Sequence, residues 1–337
     1  MKPSSSSAAG IRPIGTTRSG ATPTAASRSG EARIVPTPVK NEARLALDSR
    51  CTLGEGIVWD ERVGALYFTD IHASRLWRFD PATGAARHWA LPDRLGSLAL
   101  CESGALLLGL AKGIHFVDAS RLDASDRLDA QLLAAVDEAP SLRINDGRCD
   151  RNGNFVFGTL DESAPKRPIG RFHQFSTKHG LRPLDLGGVA IPNSIAFDAD
   201  GKTLYYCDTL ARCIQRCDYD AERARVGTPR VFAHVDSHVS ADGSAIDRDG
   251  RLWNAQWGVG RVVGYSRAGR VEHEVAVPAS QPSCPAFGGA NLDTLYITTA
   301  REDLSYEQLE REPHAGAVFG ARIDGVVGLP EEKFSGL

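Results

Sequence analysis

The chain has 337 residues and a formal net charge of −3 at pH 7, which argues against nucleic acid or an anionic membrane surface as its main partner. Hydrophobic residues make up 42% of the sequence, and no uninterrupted apolar run is long enough to cross a bilayer. The seven cysteines are scattered without a C-x-x-C pair, which favours reduced thiols over a disulfide framework. We therefore expect a cytoplasmic protein with no nucleic-acid or membrane partner.

Residues 1–42 differ in composition from the rest of the chain. They are rich in Ser, Thr, Ala, Gly, Pro and Arg, and they contain no acidic residue before Glu31. The segment lacks the apolar core of a secretory signal. Arg and Ser without acids are also typical of organelle transit peptides, but Pro and Gly oppose the amphipathic helix that such peptides form. We predict that residues 1–42 are a disordered extension and that the folded domain spans residues 43–337.

From Cys51 onward, short strand-like runs alternate with turns, and the pattern repeats six times at a spacing of about 40–50 residues. This is the period of propeller blades with four strands each, so we predict an all-β fold, a six-bladed β-propeller. Only the segment 301–312, REDLSYEQLERE, could form a short helix. The six copies are GEGIVWDERVGALYFTD (54–70), RLGSLALCESGALLLGL (94–110), INDGRCDRNGNFVFGTL (144–160), PNSIAFDADGKTLYYCD (192–208), ADGSAIDRDGRLWNAQW (241–257) and CPAFGGANLDTLYITTA (284–300).

The fourth copy contains the sequence DADG, which resembles the start of a calcium-binding loop. Asp198, however, aligns with the aspartate of DERVG, DRNG and DRDG in other copies, each just before a predicted hairpin turn. An EF-hand would also require a glutamate twelve positions along and flanking helices, whereas that position is Thr209 and the flanks are strands. We interpret Asp198 and Gly201 as turn residues.

A polar residue stands five positions before the turn aspartate in four of the six copies. A residue that begins the inner strand of each blade faces the central channel, so these four side chains converge on the axis. Two carboxylates and two amides suit a hard divalent cation such as Ca²⁺, Mg²⁺ or Mn²⁺, with Zn²⁺ or Fe²⁺ as alternatives. The competing interpretation is that each residue merely caps a strand. The four residues are Glu55, Asn145, Asn193 and Asp242; the other two copies have Leu95 and Cys284 at this position.

The aligned motifs resemble the SMP-30/gluconolactonase/regucalcin family over essentially all of the chain after its N-terminal extension. The phrase NAQWG (254–258) is similar to the bacterial sugar lactonase branch. Members of the family are six-bladed propellers that bind one divalent cation, and many hydrolyse sugar lactones. The resemblance implies that Glu55, Asn193 and Asp242 bind the cation.

The resemblance also implies a substrate site beside the cation. Arg143 and Asn145 would contact sugar hydroxyls, with Asn145 also close to the cation through water. The family often has an acidic substrate contact in the third blade, which here falls in TLDES (159–163). We assign Glu162 to that contact, with Asp161 and Ser163 as alternatives.

These expectations define a reaction. A cation polarises the ester carbonyl of an aldonolactone, such as glucono-, arabinono-, xylono- or galactono-lactone, and Asp242, or alternatively Glu55, takes a proton from the attacking water. The rival functions are a non-catalytic calcium-binding or scaffold propeller and a propeller hydrolase that acts on another ester.

Other motifs carry less weight. No G-x-S-x-G nucleophile elbow is present. The two histidines of HVDSH (234–238) have zinc-like spacing only on a helix, and GVGRVVG (258–264) precedes a strand rather than a helix. We interpret both as strand or turn segments.

Overall fold

The computed structural model describes residues 37–136 and 139–337. Within these residues the protein is built almost entirely of β-strands, which form six sheets arranged as the blades of a propeller. The predicted all-β, six-bladed fold is therefore confirmed. The predicted disordered extension spans residues 1–42, of which residues 1–36 lie outside the described residues. No helix in the described ranges is long and apolar enough to cross a membrane.

Two short strands, β1 (Val39–Glu42) and β2 (Arg44–Leu47), precede the first blade in the chain. The first three blades are four-stranded antiparallel sheets. Blade 1 consists of β3 (Gly54–Asp60), β4 (Ala65–Asp70), β5 (Arg75–Phe79) and β6 (Ala86–Ala90). Blade 2 consists of β7 (Leu95–Leu100), β8 (Leu106–Leu110), β9 (Gly113–Val117) and β10 (Gln131–Ala135). Blade 3 consists of β11 (Leu142–Cys149), β12 (Phe155–Asp161), β13 (Gly170–Ser176) and β14 (Gly180–Val189).

The last three blades follow the same plan, and blades 4 and 5 each have a fifth strand. Blade 4 consists of β15 (Pro192–Phe197), β16 (Thr203–Asp208), β17 (Cys213–Asp220), β18 (Arg225–Val226) and β19 (Arg230–His234). Blade 5 contains β20 (Ser240–Ile246), β21 (Leu252–Trp257), β22 (Arg261–Tyr265) and β23 (Val271–Ala276). Blade 6 contains β24 (Pro282–Gly288), β25 (Thr294–Thr299) and β26 (Val318–Arg322). Within residues 37–136 and 139–337, the helical segments are two 3₁₀ turns, Ala119–Ala124 and Thr209–Ala211, and α1 (Tyr306–Arg311).

The start of the chain completes the last two blades. β2 pairs antiparallel with β26 as the fourth strand of blade 6, and β1 pairs parallel with β23 as a fifth strand of blade 5. The ring is therefore closed by pairing between the two ends of the domain, which also covers exposed sheet edges. Residues Val39–Glu42, within the segment predicted as an extension, belong to this sheet.

The short helix forms where the sequence predicts one. Ser305 caps α1: its hydroxyl accepts a hydrogen bond from the backbone N–H of Gln308, whose side chain accepts one from the backbone N–H of Ser305. The helix lies between β25 and β26 of blade 6.

The aspartate turns join the first and second strands of the blades. Asp198 Oδ1 accepts a hydrogen bond from the backbone N–H of Thr203 at 3.1 Å, and Gly201 adopts φ +68°, a conformation that favours glycine. The calcium-loop resemblance is therefore explained by a hairpin turn, as predicted. The Gly258 and Gly260 motif likewise forms the turn between β21 and β22.

The apolar core lies between neighbouring blades. Phe172 of blade 3 packs against Tyr206 of blade 4 with ring centroids 5.1 Å apart, and Trp253 of blade 5 packs against Phe287 of blade 6 at 5.9 Å. All seven cysteines are in the described residues; each is buried and none forms a disulfide, as the sequence predicts.

One irregularity recurs in every blade and positions the site. The register between the first and second strand shifts near the start of the first strand in all six sheets, as at Glu55/Val58 and Asn193/Ala196. Such a bulge breaks the two-residue alternation of a strand and re-aims its side chains. The bulges lie at the end of the propeller where the innermost strands begin and the second strands end. The polar ring lies at the same end.

Candidate metal centre and substrate pocket

A cavity of about 520 Å³ lies at this end of the propeller, within the size range of small-molecule sites. It is lined by the starts of innermost strands and by residues that follow second strands. The structure brings all six predicted site residues to its wall: Glu55, Arg143, Asn145, Glu162, Asn193 and Asp242.

Glu55 and Asp242 form the buried acidic pair of the site. They come from blades 1 and 5, are only 8% and 7% exposed, and their side chains lie close enough to interact with each other. Burial is the largest cause that raises the pKa of both carboxyls, and neighbouring negative charges raise each pKa further. Two buried carboxylates in contact need either a shared proton or a cation.

Asn193 is held by a chain of hydrogen bonds from blade 3 to blade 5. Asn145 Nδ2 donates to Asn193 Oδ1 at 3.0 Å, and Asn193 Nδ2 donates to Thr209 Oγ1 at 2.9 Å. Thr209 Oγ1 in turn donates to the carbonyl of Ala241 at 3.0 Å. Because an amide oxygen has two lone pairs, the one hydrogen bond from Asn145 leaves Asn193 Oδ1 a second position for a ligand.

Arg143 orients Asn145 from the other side. Its Nη1 donates to Asn145 Oδ1 at 2.8 Å and to the carbonyl of Ile144 at 2.9 Å. The side-chain oxygen of Asn145 therefore accepts a hydrogen bond from the guanidinium of Arg143, and its side-chain nitrogen donates to Asn193. This agrees with a role for Asn145 beside the cation rather than as a direct ligand. Burial lowers the pKa of Arg143 to about 10, against the opposing effect of Glu162.

The structure separates the three alternatives in TLDES. Glu162 lines the cavity, with Oε1 3.4 Å from Arg143 Nε, and Arg94 forms a forked ion pair with the same carboxylate. Burial raises the pKa of Glu162, but the hydrogen bond and charge of Arg94 outweigh it and the net shift is downward. Asp161 and Ser163 instead hydrogen-bond to each other. Of the three, Glu162 is the residue placed at the cavity.

Asp146 is a buried acid that the sequence reasoning missed. It is 8% exposed, its Oδ2 accepts a hydrogen bond from the backbone N–H of Ile195 at 2.9 Å, and its charge raises the pKa of Glu55 and Asp242. Strict alternation would place Asn145 and Asp146 on opposite faces, but the bulge between Ile144 and Gly147 buries both. The glycine in the run NDG (145–147) was the sequence feature that could have indicated this bulge.

In the described part of the chain, no group of three or more His, Cys, Asp and Glu side chains is arranged to bind a metal. The predicted set is of another kind, because it joins two carboxylates to an asparagine amide. His234 and His238 are both exposed, at the end of β19 and in the turn that follows it, in accordance with their interpretation as strand or turn residues.

Comparison with known proteins decides the family. Residues 53–301 match the model of the SMP-30/gluconolactonase/LRE-like region. The chain belongs to this family. It is 43% identical over 300 residues to the L-arabinolactonase of Azospirillum brasilense, a match that covers 88% of this chain and 96% of the relative. It is 37% identical over 286 residues to the 6-deoxy-6-sulfogluconolactonase of Pseudomonas putida, covering 84% and 95%.

A solved structure gives the same result. The calcium-binding protein regucalcin from Agrobacterium tumefaciens superposes with a TM-score of 0.81 at 30% identity, covering 89% of this chain and 99% of that one. The predicted membership of the SMP-30/gluconolactonase/regucalcin family is confirmed.

Proposed function

We propose that this protein hydrolyses a sugar lactone to the corresponding aldonic acid with the help of one divalent cation held by Glu55, Asn193 and Asp242. The observation that carries the proposal is the buried contact of Glu55 with Asp242 beside an oriented asparagine amide, at the wall of a cavity of sugar size. Relatives named as lactonases support the same reaction class.

The donor set fits a divalent cation. Two carboxylates whose pKa is raised by burial and by neighbouring negative charge gain most from a positive partner, and Asn193 Oδ1 retains a free lone pair. Oxygen donors of this kind favour Ca²⁺, Mg²⁺ or Mn²⁺ over Zn²⁺ or Fe²⁺, and the likeness to a calcium-binding protein supports Ca²⁺. When bound, the cation supplies Lewis-acid polarisation of the lactone carbonyl and stabilises the negative charge that develops on it.

Asp242 is the general base of the proposed reaction. Its carboxylate accepts a proton from the attacking water as the water oxygen bonds to the carbonyl carbon. The proton then passes to the ring oxygen as the acyl C–O bond breaks, so that one water adds across that bond. Glu55 is less suited to this role because its Oε2 already accepts a hydrogen bond from the backbone N–H of Gly56 at 3.0 Å.

Arg143, Asn145 and Glu162 position the substrate. The guanidinium of Arg143 is buried and fixed by Asn145 and Ile144, so its remaining donors are preorganised for sugar hydroxyls. Glu162, an acceptor at the same wall, is held by Arg94. Fixing the polyol places the ester carbonyl beside the acidic pair, which lowers the entropic cost of reaction.

A lactone panel tests the proposal. Release of acid is measured from D-glucono-, L-arabinono-, D-xylono- and D-galactono-lactone, with added Ca²⁺, Mg²⁺, Mn²⁺, Zn²⁺ or Fe²⁺ and after treatment with EDTA. We expect cation-dependent hydrolysis, with L-arabinono-lactone among the good substrates because of the likeness to an L-arabinolactonase. Cation binding without hydrolysis of any lactone would contradict the proposal and favour a non-catalytic propeller.

A further inference from the structure

A second group of polar side chains lines the cavity from blades 6 and 1. Gln281 lies just before β24, Glu302 follows β25, and His72 follows β4. None of them occupies a position of the repeated polar ring. His72 Nε2 and Glu302 Oε1 are 2.6 Å apart, so the two loops are joined at the cavity wall.

The loop that carries Glu302 is fixed by its backbone. Gln281 Nε2 donates to the backbone carbonyl of Glu302 at 3.0 Å, and the backbone N–H of Ala300 donates to the backbone carbonyl of Gln281 at 3.0 Å. The backbone N–H of Arg301 donates to the carbonyl of Thr52 at 2.9 Å. The side chain of Glu302 is therefore presented by a preorganised segment, which keeps the entropy cost of binding low.

Glu302 is a hydrogen-bond acceptor at neutral pH. The hydrogen bond from His72 is the largest cause that lowers the pKa of its carboxyl, and it outweighs burial; Arg143 and Lys166 lower the pKa further. Within the described residues, His72 contacts one carboxylate oxygen and the other accepts no hydrogen bond. That second oxygen is available to a hydroxyl donor.

Gln281 provides a second acceptor. The residue is only 8% exposed, and among the described residues its Oε1 has no hydrogen-bond partner. A buried amide oxygen without a donor is unfavourable, and such groups in native proteins call for an explanation. A hydrogen-bond donor on a molecule bound in the cavity would give this oxygen a partner.

We propose that Glu302, Gln281 and His72 form a subsite for hydroxyl groups of the lactone, which makes the cavity selective for polyhydroxylated lactones. The inference rests on the proposed function. Two acceptors on neighbouring loops match two O–H donors of a polyol, and His72 holds Glu302 in place. The subsite complements Arg143, whose guanidinium is a donor. Together they offer both donors and acceptors to the same sugar.

Substitution of Glu302 tests the subsite. A contact to a hydroxyl away from the reacting carbonyl contributes equally to substrate and transition-state binding, so its loss raises KM and leaves kcat unchanged. For Glu302→Ala we expect KM for the best lactone to rise by about tenfold or more, as is typical when a hydrogen bond to a charged group is lost. The dissociation constant of D-gluconolactam, measured by calorimetry, should rise by a similar factor. Glu302→Gln, which keeps one acceptor, should show a smaller increase.

Glu310→Gln is the matched control, because Glu310 is an exposed acid on α1 of the same blade. It should leave KM and lactam binding unchanged, and Ca²⁺ binding should be equal in all variants. Unchanged KM and lactam affinity in Glu302→Ala, while the wild type binds lactam and hydrolyses lactone, would overturn the subsite alone. Equal losses of kcat and Ca²⁺ binding in that variant would also overturn it, since they indicate a structural role. A wild type that neither binds lactam nor hydrolyses any lactone would overturn the proposed function itself.

Discussion

The two ends of the central channel both bury charged side chains, but only one end balances them. At the end away from the cavity, Arg148 Nη1 contacts both carboxylate oxygens of Glu331, at 2.9 and 2.8 Å. The C-terminal segment that carries Glu331 is itself anchored: Phe334 is fully buried and stacks on Phe175 with centroids 5.6 Å apart. Charge and packing there are satisfied within the protein.

The cavity end has an excess of buried acid. Glu55, Asp146 and Asp242 lie together. Of the two basic residues near them, Arg143 is shared with Glu162, and Arg148, which lowers the pKa of Asp146, is paired with Glu331. Burying several negative charges together is costly in free energy unless a positive charge, such as a bound cation, neutralises them. The contrast teaches that the balanced end stabilises the fold, whereas the unbalanced end is arranged for a ligand.

The largest expected effect comes from the unbalanced end. Asp242→Asn removes the proposed base, so we expect kcat for the best lactone to fall by about 10²–10⁴-fold. The stability of the cation-free protein should be unchanged or higher, because one of two contacting acids is removed. Initial rates and urea unfolding measure the two effects. Asp324→Asn, an exposed acid after β26, is the control; a similar loss of rate there, or wild-type kcat in Asp242→Asn, would contradict the assignment.

At the balanced end we expect a substitution to lower stability and to leave activity unchanged. Glu331→Gln leaves the part-buried Arg148 with one neutral acceptor in place of its charged partner, so the free energy of unfolding should fall by about 1–3 kcal/mol. The kcat should stay near the wild-type value. Replacing both Arg148 and Glu331 by Met should restore much of the stability, because the unpaired charge is then gone. A large fall in kcat with unchanged unfolding would reverse the roles of the two ends.

Asp146 sharpens the comparison with a smaller effect. In Asp146→Asn the amide oxygen can still accept from the backbone N–H of Ile195, but one buried negative charge is lost. We expect Ca²⁺ affinity to weaken by about tenfold, since a nearby charge contributes strongly in a buried site. Calorimetric titration measures this. Unchanged affinity would show that Asp146 only supports the strand.

The repeat made the fold and the polar ring predictable. Laying the copies under one another identified Asn193 in place of the more conspicuous Asp198, and the structure places Asn193 in the cavity and Asp198 in a turn. Asp146 escaped because a bulge breaks the alternation on which strand patterns depend.

Features built from loops and distant pairing could not be deduced in this way. Glu302 and His72 come from loops of different blades, each two residues beyond the end of its repeated motif, and meet only in the folded chain. β2 is short and half exposed, so nothing in its sequence announces that it pairs with β26. The choice of Glu162 within TLDES likewise depends on ion pairs that form only in the folded chain. Arg94 binds Glu162 at the cavity, whereas Arg167 binds Asp161.

The most direct test of the central claim is the stoichiometry of cation-dependent activity. Chelator-treated protein is titrated with Ca²⁺, and calorimetric binding and hydrolysis of the best lactone are followed in parallel. The account predicts that activity returns as one equivalent of Ca²⁺ binds per chain, and that the Glu55→Gln, Asp242→Asn double variant neither binds nor hydrolyses. Full lactone hydrolysis by the chelator-treated protein, or unchanged Ca²⁺ binding by the double variant, would contradict it.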